Sequence, residues 1–215
     1  MTPPARAPQI SRNPRSSRAQ RREEIRDRLR SASEQLMGEG ESYTALSVER
    51  IVREAGISRA TFYVYFEDKS DLLRALAEDF IERLLGAAAT WWTLPADATK
   101  PQLREAMRAI FEAYLPHKVV MAAVVEVASY DTRVSDVFGA LLERTISEVA
   151  GHIATGQANG YVTPGIDPQR TAAWLTWMAE RGLYQLVAPA TPEAIERLLD
   201  GITDITWNTL YAGTR

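Results

Sequence analysis

The stretch from Leu46 to Lys69, LSVERIVREAGISRATFYVYFEDK, decides the fold that we expect of this chain. It contains two short helical patterns, and each follows a serine, Ser47 or Ser58, that is placed to cap the helix by accepting a backbone N–H. Gly56 lies between the patterns, where a positive φ costs it nothing and ends the first helix. Two helices joined by a short glycine-containing turn are typical of a helix-turn-helix, whose second helix enters the major groove of DNA.

The predicted second helix, residues 59–66, has an apolar face and a polar face. Phe62 and Phe66 are four residues apart and have no polar atoms, so we expect them to point inward. The side chains with donors for bases and phosphates are Arg59, Thr61, Tyr63 and Tyr65. The pattern alone leaves open a helical hairpin whose aromatic residues belong to the core.

This stretch resembles the DNA-binding signature of the TetR (tetracycline-repressor) family of bacterial transcriptional regulators. The matching residues are Gly56, Ile57, Ser58, Thr61, Phe62, Tyr63, Tyr65, Phe66 and Lys69. The resemblance implies an all-α protein with a three-helix DNA-binding head and a six-helix core that binds a small effector and dimerises. It also implies the residues that contact DNA, with Lys69 at a phosphate-facing helix entry: Thr44, Ser47, Ser58, Arg59, Ala60, Thr61, Tyr63, Tyr65 and Lys69.

The charge distribution agrees with a DNA-binding head. The whole chain has a formal net charge of −3, but residues 1–76 carry +3 and residues 77–215 carry −6. The chain has no cysteine, which excludes disulfides and fits the reducing cytoplasm. It has no apolar run long enough to span a bilayer, and its arginine-rich start lacks the apolar segment of a secretory signal.

Periodicity along the chain predicts about nine helices and no strand. We read residues 1–17 as a disordered basic tail, residues 18–68 as the helix-turn-helix domain, and residues 69–215 as the ligand-binding and dimerisation domain. Helices are expected over residues 18–37, from Ser70 to about Thr90, from Gln169 to about Val187, and over residues 192–211. The helix from Ser70 would link the head rigidly to the core.

All five tryptophans lie outside the head, which favours a mostly apolar pocket in the core. The core also resembles a mycobacterial branch of the family that has a long apolar channel. The resemblance rests on His117-Lys118, on WLTWMAERGLY at Trp174–Tyr184, and on Trp207. It implies this channel lining: Leu103, Met107, Ile110, Phe111, Tyr114, Phe138, Leu142, Thr145, Val149, Thr176, Ala179, Tyr184 and Trp207. Thr176 and Ala179 stand where that branch has asparagines, and Leu103 replaces an aromatic at the channel mouth.

The fold analogy implies a homodimer formed by the last two helices, with Arg170, Glu180, Arg181 and Arg197 pairing at its rim. Two heads then meet two half-sites, so the operator should be roughly palindromic. An enzyme is the rival class, but no glycine-rich phosphate loop, cysteine nucleophile or metal-ligand spacing occurs, and we expect no cofactor. The remaining alternative is a helical small-molecule-binding or protein-interaction module without sequence-specific DNA binding.

Overall fold

The computed structural model describes residues 14–213, and within them the predicted all-α fold is confirmed, with no strand. Two short helical turns of other types are also present, a 3-10 turn at Leu115–His117 and a π-helical turn at Leu183–Val187. The helices are α1 (Pro14–Gly38), α2 (Val48–Glu54), α3 (Arg59–Tyr65), α4 (Lys69–Trp92), α5 (Lys100–Tyr114), α6 (Lys118–Ala128), α7 (Thr132–Ala158), α8 (Pro168–Gly182) and α9 (Pro192–Leu210).

Three predicted helix starts are wrong, and one of them is that of α8, which begins at Pro168 and not at Gln169. Helix α1 begins at Pro14 and not at Arg18, because a proline in the first helical position loses no helical hydrogen bond. Residues 1–13 of the predicted basic tail lie outside the described residues. Helix α4 begins one residue before Ser70, because the carboxylate of Asp68 caps it by accepting the backbone N–H of Asp71 at 2.8 Å.

The head consists of α1, α2 and α3 around a small apolar core. Leu29 and Leu36 of α1 are fully buried and belong to the same cluster as Ile51 of α2 and Phe62 of α3. This packing stabilises two helices of only seven residues, which would be marginal on their own.

The remaining helices form one bundle behind the head. Helix α4 packs against α5, α6 and α7, α7 packs against α8, and α5 packs against α9. Helix α4 runs from the head into the bundle. It is buried along its length, with Leu72 and Leu76 near its start and Leu85 and Trp91 near its end. Two ion pairs, Arg26–Asp79 and Asp68–Arg133, and a hydrogen bond between Glu34 and His117 also join the head to the bundle.

Candidate functional sites: a helix-turn-helix surface and an apolar cavity

The local geometry of the helix-turn-helix follows the sequence closely. Ser47 caps α2 by accepting the N–H of Arg50 at 3.2 Å, and Ser58 caps α3 by accepting the N–H of Thr61 at 3.0 Å. Gly56 has φ +64°, which L side chains rarely adopt, and it ends the first helix as predicted. These three residues fix the angle at which α3 leaves the turn.

Helix α3 buries its apolar face and exposes its polar one. Phe62 and Phe66 are buried with their ring centroids 5.6 Å apart. Among the predicted contact residues, the exposed ones are Ser47, Ser58, Arg59, Ala60 and Tyr63, and the half-buried ones are Thr44, Thr61, Tyr65 and Lys69. Val64 is 74% exposed on the same helix, and sequence reasoning missed it. An exposed valine at this position has no core role and is suited to contact a thymine methyl group.

Arg59 is held by its own neighbours. Its guanidinium forms an ion pair with Glu49 of α2, donates to the hydroxyl of Tyr63 at 3.4 Å, and lies 5.5 Å from the centre of the Tyr63 ring. A phosphate or a guanine would therefore compete with the Glu49 carboxylate for Arg59.

The loop before α2 is attached to helix α6 of the bundle. Glu126 of α6 accepts hydrogen bonds from the hydroxyl of Thr44 at 2.6 Å and from that of Ser42 at 3.1 Å. The Thr44 hydroxyl, which the family resemblance assigns to phosphate, is therefore already occupied by a carboxylate.

Lys69 directs its ammonium group at the loop before α2. Its ammonium group donates to the backbone carbonyls of Tyr43, Thr44 and Leu46, and the Tyr43 hydroxyl donates to the carbonyl of Lys69. Three N–H donors are all that an ammonium group has. Burial lowers the pKa of Lys69, and the nearby Glu126 charge partly opposes this. The side chain predicted to face phosphate instead fastens the loop to the start of α4.

An apolar cavity of about 100 Å³ lies among α4, α5, α6, α7 and α8. Sequence reasoning found eight of its lining residues: Ile110, Tyr114, Phe138, Leu142, Thr145, Val149, Thr176 and Ala179. It missed Leu84, Leu85, Ala88, Trp91, Trp92, Met121, Leu141, Leu175, Glu180 and Leu183. Glu180 follows Thr176 by one helical turn, so its place on the cavity wall was readable from the spacing.

Five residues predicted for this channel do not line the cavity. Met107 and Phe111 line a neighbouring apolar cavity of about 220 Å³, which shares the walls Ile110, Ala179 and Leu183. Leu103 and Trp207 line a small separate space beside His152. Tyr184 is half-buried and does not line the first cavity. The single predicted channel is therefore divided by side chains.

A hydrogen-bond network closes the end of the bundle near Trp207. The indole N–H of Trp91 donates to the hydroxyl oxygen of Tyr211 at 3.0 Å, and His152 Nε2 lies 2.7 Å from that oxygen. His152 Nδ1 lies 3.2 Å from the carbonyl oxygen of Trp92, so a neutral imidazole protonated at Nδ1 satisfies every partner. Burial lowers the pKa of His152 accordingly.

Helices α8 and α9 expose large apolar side chains on one surface. Trp174 is 79% exposed, and Trp177, Leu186 and Ile205 are also exposed there. Arg170, Arg181 and Arg197 are exposed on these helices, but the fourth predicted rim residue, Glu180, points into the cavity. Such a contiguous apolar surface marks an interaction site.

Among residues 14–213, no group of three potential ligand side chains is arranged to hold a metal ion. In the same part of the chain, no helix combines the length and the apolar character needed to cross a bilayer.

The fold and the two sites define a helix-turn-helix regulator with an internal ligand cavity. Two family profiles match: "Transcriptional regulator EthR, C-terminal domain" over residues 103–212, and "Bacterial regulatory proteins, tetR family" over residues 29–76. The chain therefore belongs to the TetR family of bacterial regulatory proteins, and it is a DNA-binding transcriptional regulator. Members of this family bind operator DNA and small effectors and act as homodimers.

Individual relatives agree with this assignment. The HTH-type transcriptional regulator EthR of Mycobacterium tuberculosis is 28% identical over 174 residues, which cover 79% of this chain and 80% of the relative. The protein of the same name from Mycolicibacterium smegmatis is 26% identical over 182 residues, covering 84% and 83%. Among solved structures, Salmonella enterica GusR has the same fold, with a TM-score of 0.69, 17% identity, and 86% and 95% coverage. The two EthR relatives are transcriptional regulators and not enzymes.

Proposed function

We propose that this chain is a homodimeric repressor that binds a roughly palindromic operator and is released from it by a small, mostly apolar effector. The observation that carries the proposal is that α4 and α6 each contribute to both sites. Helix α4 lines the cavity with Leu84 and Leu85, and its first residue, Lys69, holds the loop before α2. Helix α6 lines the cavity with Met121 and holds the same loop through Glu126.

The proposed DNA surface is the outward face of α3 with the N-terminal ends of α2 and α3. Arg59 and Tyr63 supply donors for bases or phosphates, and the exposed Val64 supplies an apolar contact. The backbone N–H groups at the start of a helix can bind phosphate. In this proposal, the helix starts that do so contain Ser47, Ser58, Ala60 and Thr61. Thr44 and Tyr65 lie at the edge of this surface, half-buried. Lys69 supports the surface from behind.

The proposed dimer contact is the exposed apolar surface of α8 and α9. A two-fold axis would place Trp174 and Ile205 against the same residues of the partner copy, since such a contact is self-complementary. Burying Trp174 would remove the largest exposed apolar side chain of this surface from water. The resulting dimer would present two copies of α3 to successive major grooves.

The proposal divides the chain at the start of α4, with the helix-turn-helix head before it and the ligand-binding and dimerisation bundle after it. It assigns no catalytic activity, and it places the protein in the cytoplasm, where a regulator meets chromosomal DNA. The effector and DNA would act against each other because the effector binds best when the head spacing does not fit the operator.

The test is fluorescence anisotropy on labelled DNA from upstream of the gene, with scrambled DNA as the comparison, across a salt series. We expect Arg59→Ala and Tyr63→Phe each to weaken binding to upstream DNA by up to about 3 kcal/mol, while the dimer stays intact. The matched controls are Arg83→Ala and Tyr130→Phe, which change exposed residues of the same type outside the head.

Two results would contradict this assignment. Unchanged affinity in both head variants would show that α3 does not contact DNA. Equal and steeply salt-dependent binding to both DNAs would reveal only the electrostatic contribution, and would favour a helical ligand-binding module without sequence-specific recognition.

A further inference from the structure

The cavity wall is mostly apolar, but three of its polar side chains have buried atoms without a hydrogen-bond partner among the described residues. Both carboxylate oxygens of Glu180 and the hydroxyls of Tyr114 and Thr176 are buried without a hydrogen-bond partner among the described residues. The Glu180 side chain is only 8% exposed. Buried carboxylates normally have partners, because removing the charge from water without compensation costs several kcal/mol or more.

These polar groups belong to one place on the wall. Thr176 and Glu180 are one turn apart on α8 and therefore share a face of that helix. Tyr114 reaches the same cavity from α5, and its pKa is raised first by burial and then by the charge of Glu180. Burial likewise raises the pKa of Glu180. The nearby positive group is Arg181, whose Nε lies 3.6 Å from one carboxylate oxygen, which is too far for a hydrogen bond.

We propose that this cavity binds an amphiphilic amine, whose apolar body contacts the Leu and Trp side chains and whose ammonium group donates to Glu180, Thr176 and Tyr114. An ammonium group has three N–H donors, and the cluster offers more than three acceptor positions. Hydrogen bonds between charged partners are about twice as strong as neutral ones, so the carboxylate would select the cation over a neutral analogue. The inference rests on the proposed function, because it names the chemical class of the effector for the same cavity.

The size of the cavity limits the apolar body. An engineered apolar cavity of about 150 Å³ in another protein binds benzene, so the space of about 100 Å³ here holds only part of a six-carbon chain. The rest of a hexyl chain would have to pass Ile110 or Leu183, which line both this cavity and the neighbouring one of about 220 Å³. Hexylamine is therefore the probe, with hexanol and hexanoate as analogues of equal chain length.

The experiment is calorimetric titration of the full chain, without DNA, with these three compounds. We expect hexylamine to bind about tenfold or more tightly than hexanol, and hexanoate to bind most weakly, because the carboxylate repels it. Glu180→Gln should remove the preference for the amine. Glu143→Gln, which changes an exposed glutamate of α7 outside the cavity lining, should keep it.

A second readout separates ligand binding from a structural role of Glu180. Without ligand, Glu180→Gln should melt at the same temperature as the wild type or higher, because it removes a buried charge that accepts no hydrogen bond. Two results would overturn the proposal. One is that the wild type binds hexylamine and hexanol with equal affinity, and the other is that Glu180→Gln still prefers the amine.

Operator release distinguishes this inference from the proposed function. One outcome is that hexylamine binding depends on Glu180 and yet leaves operator affinity unchanged. This result would support the amine subsite and count against a role of the subsite in operator release. Release by hexanol and not by hexylamine would support the effector cavity and overturn the amine assignment.

Discussion

Replacing Lys69 by methionine distinguishes two roles for this side chain, a phosphate contact and an internal fastener. Methionine keeps the apolar stem and removes the ammonium group, which leaves the carbonyls of Tyr43, Thr44 and Leu46 without their donor. Hydrogen bonds to charged groups contribute about 1.5 to 3 kcal/mol each. Because Lys69 is half-buried and water can replace part of this, we expect the variant to lose about 2 to 4 kcal/mol of head stability.

The assay is hydrogen exchange of the amides of α1, α2 and α3 at fixed protein concentration, since dimerisation also affects stability. A loss of about 2 to 4 kcal/mol corresponds to protection factors about 30-fold to 700-fold lower. The control is Lys118→Met, whose ammonium donates to one carbonyl, that of Ala188, at an exposed site. Its exchange in the head should stay unchanged.

The salt dependence of operator binding provides the opposing test. If each Lys69 neutralised a phosphate, its removal would reduce the slope of log K against log salt by about 0.9 per copy, or about 1.8 per dimer. We expect the slope to stay as in the wild type. A reduced slope together with unchanged exchange in the head would refute the fastener role and restore the phosphate contact.

Two further predictions concern the stability of the bundle. In urea unfolding, Gly156→Ala should destabilise the protein by about 1 to 3 kcal/mol, because the added Cβ would lie 2.9 Å from Cβ of Val162. The control Gly151→Ala, on the same helix, meets open space and should stabilise the protein by up to about 1 kcal/mol. Equal effects of the two substitutions would refute the predicted overlap. Burial holds the pKa of His152 below its unfolded value of about 6.5. The unfolded state therefore binds more protons in acid, and the free energy of unfolding should fall as the pH drops below about 6.5. In scans of melting temperature against pH, His152→Gln should show a shallower acid loss than the wild type, and parallel curves would contradict the Tyr211-linked neutral imidazole.

The features that sequence reasoning predicted correctly depend on neighbours in the chain. Ser47, Gly56 and Ser58 act through hydrogen bonds and backbone angles that span three or four residues, so the pattern alone was sufficient. The burial of Phe62 and Phe66 follows from helical spacing in the same way.

The features that it missed depend on contacts between distant segments. The partners of Lys69 lie 23 to 26 residues away, and Glu126 lies 82 residues from Thr44. No periodicity predicts such pairs. Trp207 was placed in the channel by position in the family, but the separation of the cavities depends on which side chains fill the space between α5, α8 and α9.

The loop of residues 42–46 is where α4 and α6, two of the helices that line the cavity, meet the head. Lys69 at the start of α4 holds it through three carbonyls, and Glu126 of α6 holds it through the hydroxyls of Ser42 and Thr44. Glu126 lies five residues beyond Met121 of the cavity wall, about 7.5 Å along the helix. Because the loop leads directly into Ser47, the cap of α2, a displacement of either helix by a ligand would reach the helix-turn-helix at its first residue. Coupling of this kind needs no continuous chain of moving side chains between the sites, because two packed helices transmit the shift as rigid bodies.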